Sequence, residues 1–168
     1  MIRTLAAILG VLALAGCAAD YVPPEQPAFY LDMAHGGAKL DATVAASMIS
    51  GYRANNGLGP VTVDPELMKV AEIQSMAMAK HNKMDHDVVG TLPKRLATAH
   101  YPATLAVENI GAGYHTLAEA FSGWRDSPHH RENMLKKGVD KLGIAATYAP
   151  NTKYKVFWTL VLASTDER

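Results

Sequence analysis

The run Trp124-Arg125-Asp126-Ser127-Pro128-His129-His130-Arg131-Glu132-Asn133-Met134-Leu135 sets two adjacent histidines among acids, bases and amides. Ser127 is a good helix N-cap, and Pro128 suits the first helical position, where its missing N–H leaves nothing unsatisfied. His130 then falls in the first turn. The positive end of a helix dipole disfavours imidazolium, so a histidine there tends to stay neutral. Neutral imidazole is the form a metal ligand or a general base needs. The same residues also read as two surface histidines after a Ser-Pro turn. Adjacent positions on a helix start face different directions, so only one of His129 and His130 can enter a shared site. A further loop histidine, His86, stands between Asp85 and Asp87. There is no His-Glu-x-x-His run, so any metal would need ligands from separate segments. No Ser or Cys nucleophile with a partnered base is visible.

The elements around these residues follow from periodicity and punctuation. A helix is predicted from Asp41 to about Asn55, with Val44, Met48, Ile49 and Tyr52 as its apolar stripe. Val61-Thr62-Val63 is extended. Asp64-Pro65-Glu66 then supplies a cap, a first-position proline and a first-turn acid for a helix to about Lys83. His86 lies in the following loop, before a short helix over 92–99. Ala106 to Ile110 reads as a brief extended or turn-like piece. Thr116 caps a helix to about Asp126, with Trp124 facing inward, and the helix after Ser127 ends near Gly138. Two strands close the chain, over 142–148 and 154–163. The second is almost continuously apolar, which points to a central strand covered on both faces. Helices on both faces of a small antiparallel sheet make an α+β fold, an α-β-α sandwich.

The ends and the composition bound the setting. Arg3 followed by the apolar residues 5–15 is too short to span a membrane, which takes roughly 20 apolar residues, and suits a signal peptide over 1–16. Leu14-Ala15-Gly16-Cys17 resembles a bacterial lipobox, which implies cleavage before Cys17 and lipidation of its thiol; ordinary secretory cleavage is the alternative. Ala18 is not the aspartate that resembles an inner-membrane retention signal. The expected location is therefore the cell envelope, on the periplasmic side of the outer membrane if the source is diderm. Residues 17–40, with Pro23, Pro24, Pro27 and Gly36-Gly37, read as a lipidated cysteine and flexible tether on which Leu31 and Met33 can still dock. The domain proper is expected over 41–165. The formal net charge is +0, and no basic patch argues for nucleic acid. Cys17 is the single cysteine, so the domain holds together by packing alone.

Several pieces stand in order: His86; Glu108-Asn109-Ile110; Trp124 to Arg131 with Met134-Leu135; Leu142-Gly143-Ile144-Ala145; and Phe157-Trp158-Thr159. Over residues 41–163 the set resembles the CAP superfamily, or SCP domain, of cysteine-rich secretory proteins, venom allergens, plant pathogenesis-related proteins and many short bacterial forms. The resemblance implies an α-β-α sandwich and a groove holding two histidines and acids. By position these are His86, His130 and Glu108. The second acid of many eukaryotic members falls on Ser127, so the cluster is reduced to three. Two histidines and a glutamate could hold a divalent metal, zinc or magnesium, with a position left for water. Without metal, Glu108 could act as general base while His130 positions water. Glu108 could instead pair with Arg131 or accept from a nearby amide, and Asn109 is suited to holding a turn. The expected function is a surface-anchored lipoprotein whose groove binds a lipid, peptide or cell-wall fragment, with the membrane as partner through Cys17. A hydrolase of peptide-like bonds in the envelope and a structural envelope component are the alternatives, and the residues leave open whether the protein is an enzyme.

Overall fold

A computed structural model describes residues 26–165; the expected signal peptide, Cys17 and the first part of the expected tether lie outside the described residues. Its helices begin where the local signals place them. Asp41 accepts from Thr43 N and Val44 N at the start of α1 (Ala42–Ala54), and Asp64 accepts from Glu66 N and Leu67 N at the start of α2 (Pro65–His81). Short α3 spans Leu92–Thr98. A capping box between Thr116 and Glu119 opens α4 (Leu117–Asp126), and α5 (Pro128–Met134) follows after Ser127. Each such cap satisfies N–H groups that the first helical turn otherwise leaves unpaired.

Four strands, β1 (Thr62–Val63), β2 (Ala103–Ala112), β3 (Lys141–Ala149) and β4 (Lys155–Thr165), form one sheet in the order β1-β3-β4-β2. The long strands pair antiparallel, but β1 joins β3 in parallel. The sheet is thus mixed rather than purely antiparallel, because Thr62–Val63 enters from α1 alongside β3. Central β4 sends Val156, Trp158, Leu160 and Leu162 into the layer of α1, α4 and α5. Its alternate residues Phe157, Val161 and Ala163 face α2 and α3. Both faces are covered, which explains the unbroken apolar run and gives the α-β-α sandwich. At Gly143 a Cβ would run into the backbone of Leu67, so the missing side chain is what lets α2 lie close on β3.

Two expectations change. The piece around Glu108 is extended but is a ten-residue strand, longer than the brief extended or turn-like piece expected; its polar pair Glu108-Asn109 is buried by partners from distant segments, which no local pattern encodes. The folded body also begins before Asp41. A 3-10 turn at Ala28–Tyr30 packs on α1 and α4, Met33 is buried with its N–H donated to His115 O at 2.7 Å, and Leu31 remains exposed. Buried Arg53 of α1 donates to the carbonyls of Gly59, Met134, Lys136 and Val139, which ties down the end of α5.

Candidate functional site

β2 is the spine of the site, because consecutive residues on a strand point to opposite faces. Glu108 enters the α2–α3 layer and is 7% exposed. One carboxylate oxygen meets His86 Nδ1 at 2.8 Å, and the other accepts from Arg95 Nη2 at 2.5 Å. Arg95, on α3, is itself only 6% exposed. Its Nε also donates to Gly90 O at 3.1 Å. From α2, buried Gln74 donates Nε2 to Asp85 O at 2.7 Å and to His86 O at 3.1 Å. Gln74 and Arg95 thus hold the loop carrying His86 by its carbonyls, and Glu108 orients the ring. Behind the ring everything is packed; in front, the His86 side chain is 49% exposed.

The hydrogen bond that His86 donates to Glu108 raises the pKa of His86, and partial burial and the Arg95 charge oppose it. With the carboxylate already accepting from Arg95, the proton of the neutral ring sits on Nδ1. Nε2 then faces outward, as an acceptor when the ring is neutral and a donor when it is charged.

Asn109 points the other way. It is buried, donates Nδ2 to His130 O at 2.9 Å, and accepts from Asn133 Nδ2 at 2.9 Å. Asn133 Nδ2 also donates to Glu108 O at 3.0 Å, and Trp124 Nε1 donates to Ile110 O at 3.0 Å. The segment 108–110 is therefore held to α4 and α5 on one side and to the His86 loop on the other. His130 is half-buried, and burial, then the charges of His129 and His86, lower its pKa. His129 is exposed, its ring centroid 6.3 Å from that of His130.

The structure brings His86 and Glu108 into direct contact; a charge on His86 adds to the lowering of the His130 pKa. Other expectations are corrected. Glu108 pairs with Arg95, not Arg131; Arg131 donates Nη1 to Arg125 O. Asn109 does not hold a turn but fastens a strand to α5. Ser127 occupies the N-cap position of α5 without a capping side-chain bond; its N–H closes α4 on Gly123 O. Among the described residues no three His, Cys, Asp or Glu side chains converge as a metal-holding group. A guanidinium already stands against Glu108, where a cation sharing that carboxylate would have to sit. The donor set does not fit the three-ligand site envisaged from the sequence.

The residues the sequence reading missed are Gln74 and Arg95. Both had a legible signal. Gln74 lies within the stripe Leu67, Val70, Ala71, Ala77 and Met78 of α2, and Arg95 lies between Leu92 and Ala99 at helical spacing on α3. A polar residue on an inward stripe implies buried partners.

The chain as a whole is similar to known proteins. The family model for the cysteine-rich secretory protein family, CAP, matches residues 46–162. Uncharacterized protein YkwD of Bacillus subtilis (strain 168) is 29% identical over 115 residues, 61% of this chain and 45% of that protein. An uncharacterized protein of Borreliella burgdorferi is 26% identical over 106 residues, 62% of this chain and 68% of that protein. Among solved structures, an extracellular SCP-domain protein of Bacillus anthracis superposes with a TM-score of 0.65 at 27% identity, covering 73% of this chain and 40% of that one. An outer surface protein of Borrelia burgdorferi gives 0.68 at 22% identity, covering 76% and 95%, a likeness of fold. The chain spans less than half the length of the two Bacillus proteins.

Proposed function

The chain belongs to the cysteine-rich secretory protein (CAP) family, and from that membership we propose that it is an envelope binding module, tethered to a membrane through lipidated Cys17, that captures a lipid, peptide or cell-wall fragment at His86. The observation that carries this reading is an imidazole fixed from behind and open in front. Glu108 holds Nδ1, Arg95 and Gln74 hold the loop, and Nε2 is free to meet a ligand oxygen. The raised pKa of His86 favours the charged ring, which suits an anionic or strongly accepting ligand group. Both Glu108 oxygens already serve Arg95 and His86, so the carboxylate supports the ring rather than activating a water. The extracellular and outer-surface settings of the relatives are in keeping with a role outside the cytoplasm.

One observation favours a second reading, hydrolysis. The two histidines have pKa values displaced in opposite directions, which is how an acid and a base are separated within one site. In that case His130 would take the proton of an attacking water and charged His86 would give one to the leaving group.

The two are separated by presenting the purified protein with peptidoglycan fragments and with phospholipid vesicles. Binding predicts retention of one of them without product. His86→Ala should weaken it about tenfold, the ~1.4 kcal/mol appropriate to one half-exposed charge-assisted hydrogen bond. Turnover that vanishes in His130→Ala would establish the hydrolase instead. Equal retention by wild type and His86→Ala would refute a site at His86.

A further inference from the structure

The folded body opens on a small apolar surface. The 3-10 turn Ala28–Tyr30 lays Phe29 against the layer of α1 and α4, together with Val44 and Met48 of α1. Between the turn and α1 lies a cavity of about 500 Å³, lined by Ala28, Phe29, Val44, Ser47 and Met48 with no charged residue among them. Beside it Tyr30 is 49% and Leu31 43% exposed, and the Phe29 and Tyr30 rings lie 4.6 Å apart. Adjoining exposed apolar groups beside a hollow mark interaction sites more often than plain surface. The neighbouring acids are engaged locally: Asp32 accepts from Ala34 N, and Asp41 from Thr43 N and Val44 N. Between Gln26 and Met48 the sequence carries a single lysine, Lys39, and no arginine.

The point where the chain enters this surface says what covers it. Gln26, next to the turn, lies nine residues after Cys17. Such a length spans at most about 30 Å even when fully extended. A membrane that holds Cys17 is therefore never farther than that from Gln26, and the turn is the first part of the body to meet it. A short tether also keeps the patch at a high effective concentration relative to the bilayer, so that a contact too weak to hold a free protein is occupied. Tyrosine beside leucine suits that boundary, since its ring is apolar and its hydroxyl stays in water. Without a basic cluster, the lipid it fits is neutral and zwitterionic rather than anionic.

We propose that Phe29, Tyr30, Leu31 and Met48 rest on the zwitterionic bilayer that holds Cys17, so that His86 faces the aqueous side. The proposal rests on the reading of Cys17 as a lipid anchor. The turn and α1 belong to the layer on one side of the sheet, whereas Glu108 and Gln74 hold His86 in the α2–α3 layer on the other. With the first layer down, the sheet stands between the membrane and the open face of His86. The ligand of His86 then arrives through water, as a peptide or cell-wall fragment does, and not from the leaflet that carries the anchor.

The test uses the chain from Cys17 onward, which keeps residues 26–165 whole. Its sole thiol is coupled to a maleimide lipid in a phosphatidylcholine nanodisc, one chain per disc, so that docking is read whether or not cells acylate Cys17. Gadolinium-chelating lipid headgroups then broaden amide NMR signals by proximity. Tyr30, Leu31 and Ser47 should broaden about fivefold more than Asp87 and Gly90 of the His86 loop, as a patch seated at the headgroups requires. The tether alone gives a smaller difference, so Tyr30→Ser with Leu31→Ser should cut that ratio by about threefold, while Tyr30→Trp should keep it. Equal broadening of the two sets, stronger broadening of the His86 loop, or a ratio unchanged in the double serine variant would each overturn the docking and leave the anchor standing. A Cys17 found without acyl chains by mass spectrometry of the chain from cells would overturn the anchor instead, whatever the nanodisc shows.

Discussion

Replacing Glu108 with glutamine removes one charge from the most buried ion pair among the described residues and alters little else in shape. Glu108 and Arg95 are both buried, 2.5 Å apart. Breaking a buried pair from one side leaves an uncompensated charge, at a cost of about 3–5 kcal/mol. The glutamine amide oxygen can still accept from Arg95, so the lower end, ~3 kcal/mol, is expected. Against a total stability on the order of 5–15 kcal/mol this is a large loss. Trp124 and Trp158 are buried, so urea unfolding at neutral pH can be followed by tryptophan fluorescence. The decisive comparison is the double variant Glu108→Gln with Arg95→Met, which removes the stranded charge as well. It should be more stable than the sum of the single losses predicts, by at least about 1 kcal/mol. In Glu108→Gln the His86 pKa should also fall, read from its ring-proton NMR titration, because its largest raising influence is gone. A single loss under about 1 kcal/mol, or strict additivity in the double variant, would show that the pair does not hold the site as argued.

Opposite pH slopes follow from the two histidines. The raised pKa of His86 contributes stability present below about pH 6.5 and lost as pH rises through the folded value; the lowered pKa of His130 contributes stability present above about 6.5 and lost as pH falls. His130→Asn should therefore become less stable from about pH 6 to 8, and His86→Asn less stable from about pH 7 to 5, in urea midpoints compared with wild type; slopes of the same sign would be incompatible with the geometry. Gly143→Ala should lower stability by about 1–3 kcal/mol in urea, because the added methyl meets the Leu67 backbone rather than a side chain that can turn away. Cys17→Ala should release the protein from the membrane fraction without loss of fold, and unchanged membrane association of the cleaved chain would refute the anchor.

The sandwich was legible because its signals are local. Asp41, Asp64 and Thr116 announce helix starts by bonds to their own next turn, and the run from Val156 to Ala163 announces a strand covered twice. Residue pairing across the fold was not legible. Nothing near Glu108 in sequence tells whether its guanidinium comes from Arg131 or from Arg95, because that choice is made by the packing of α3 against β2. The sequence around Ser127 points to a capping hydroxyl, a role its position allows and its hydrogen bonding does not use. Gln74 and Arg95 were visible as polar breaks in apolar stripes, but their partners are backbone carbonyls of a loop, which carry no sequence signature.

Glu108 and Asn109 sit opposite Val161 and Leu160 in the β2–β4 ladder, one serving each layer. A slip of one residue would turn the carboxylate toward α5 and the amide toward Arg95, exchanging the two sets of bonds at once. The reading frame of β2 is therefore as strict as that of a codon. A single inserted or deleted residue there dismantles both histidine supports, whereas the exposed turn between β3 and β4 at Pro150 to Lys153 can lengthen without disturbing either.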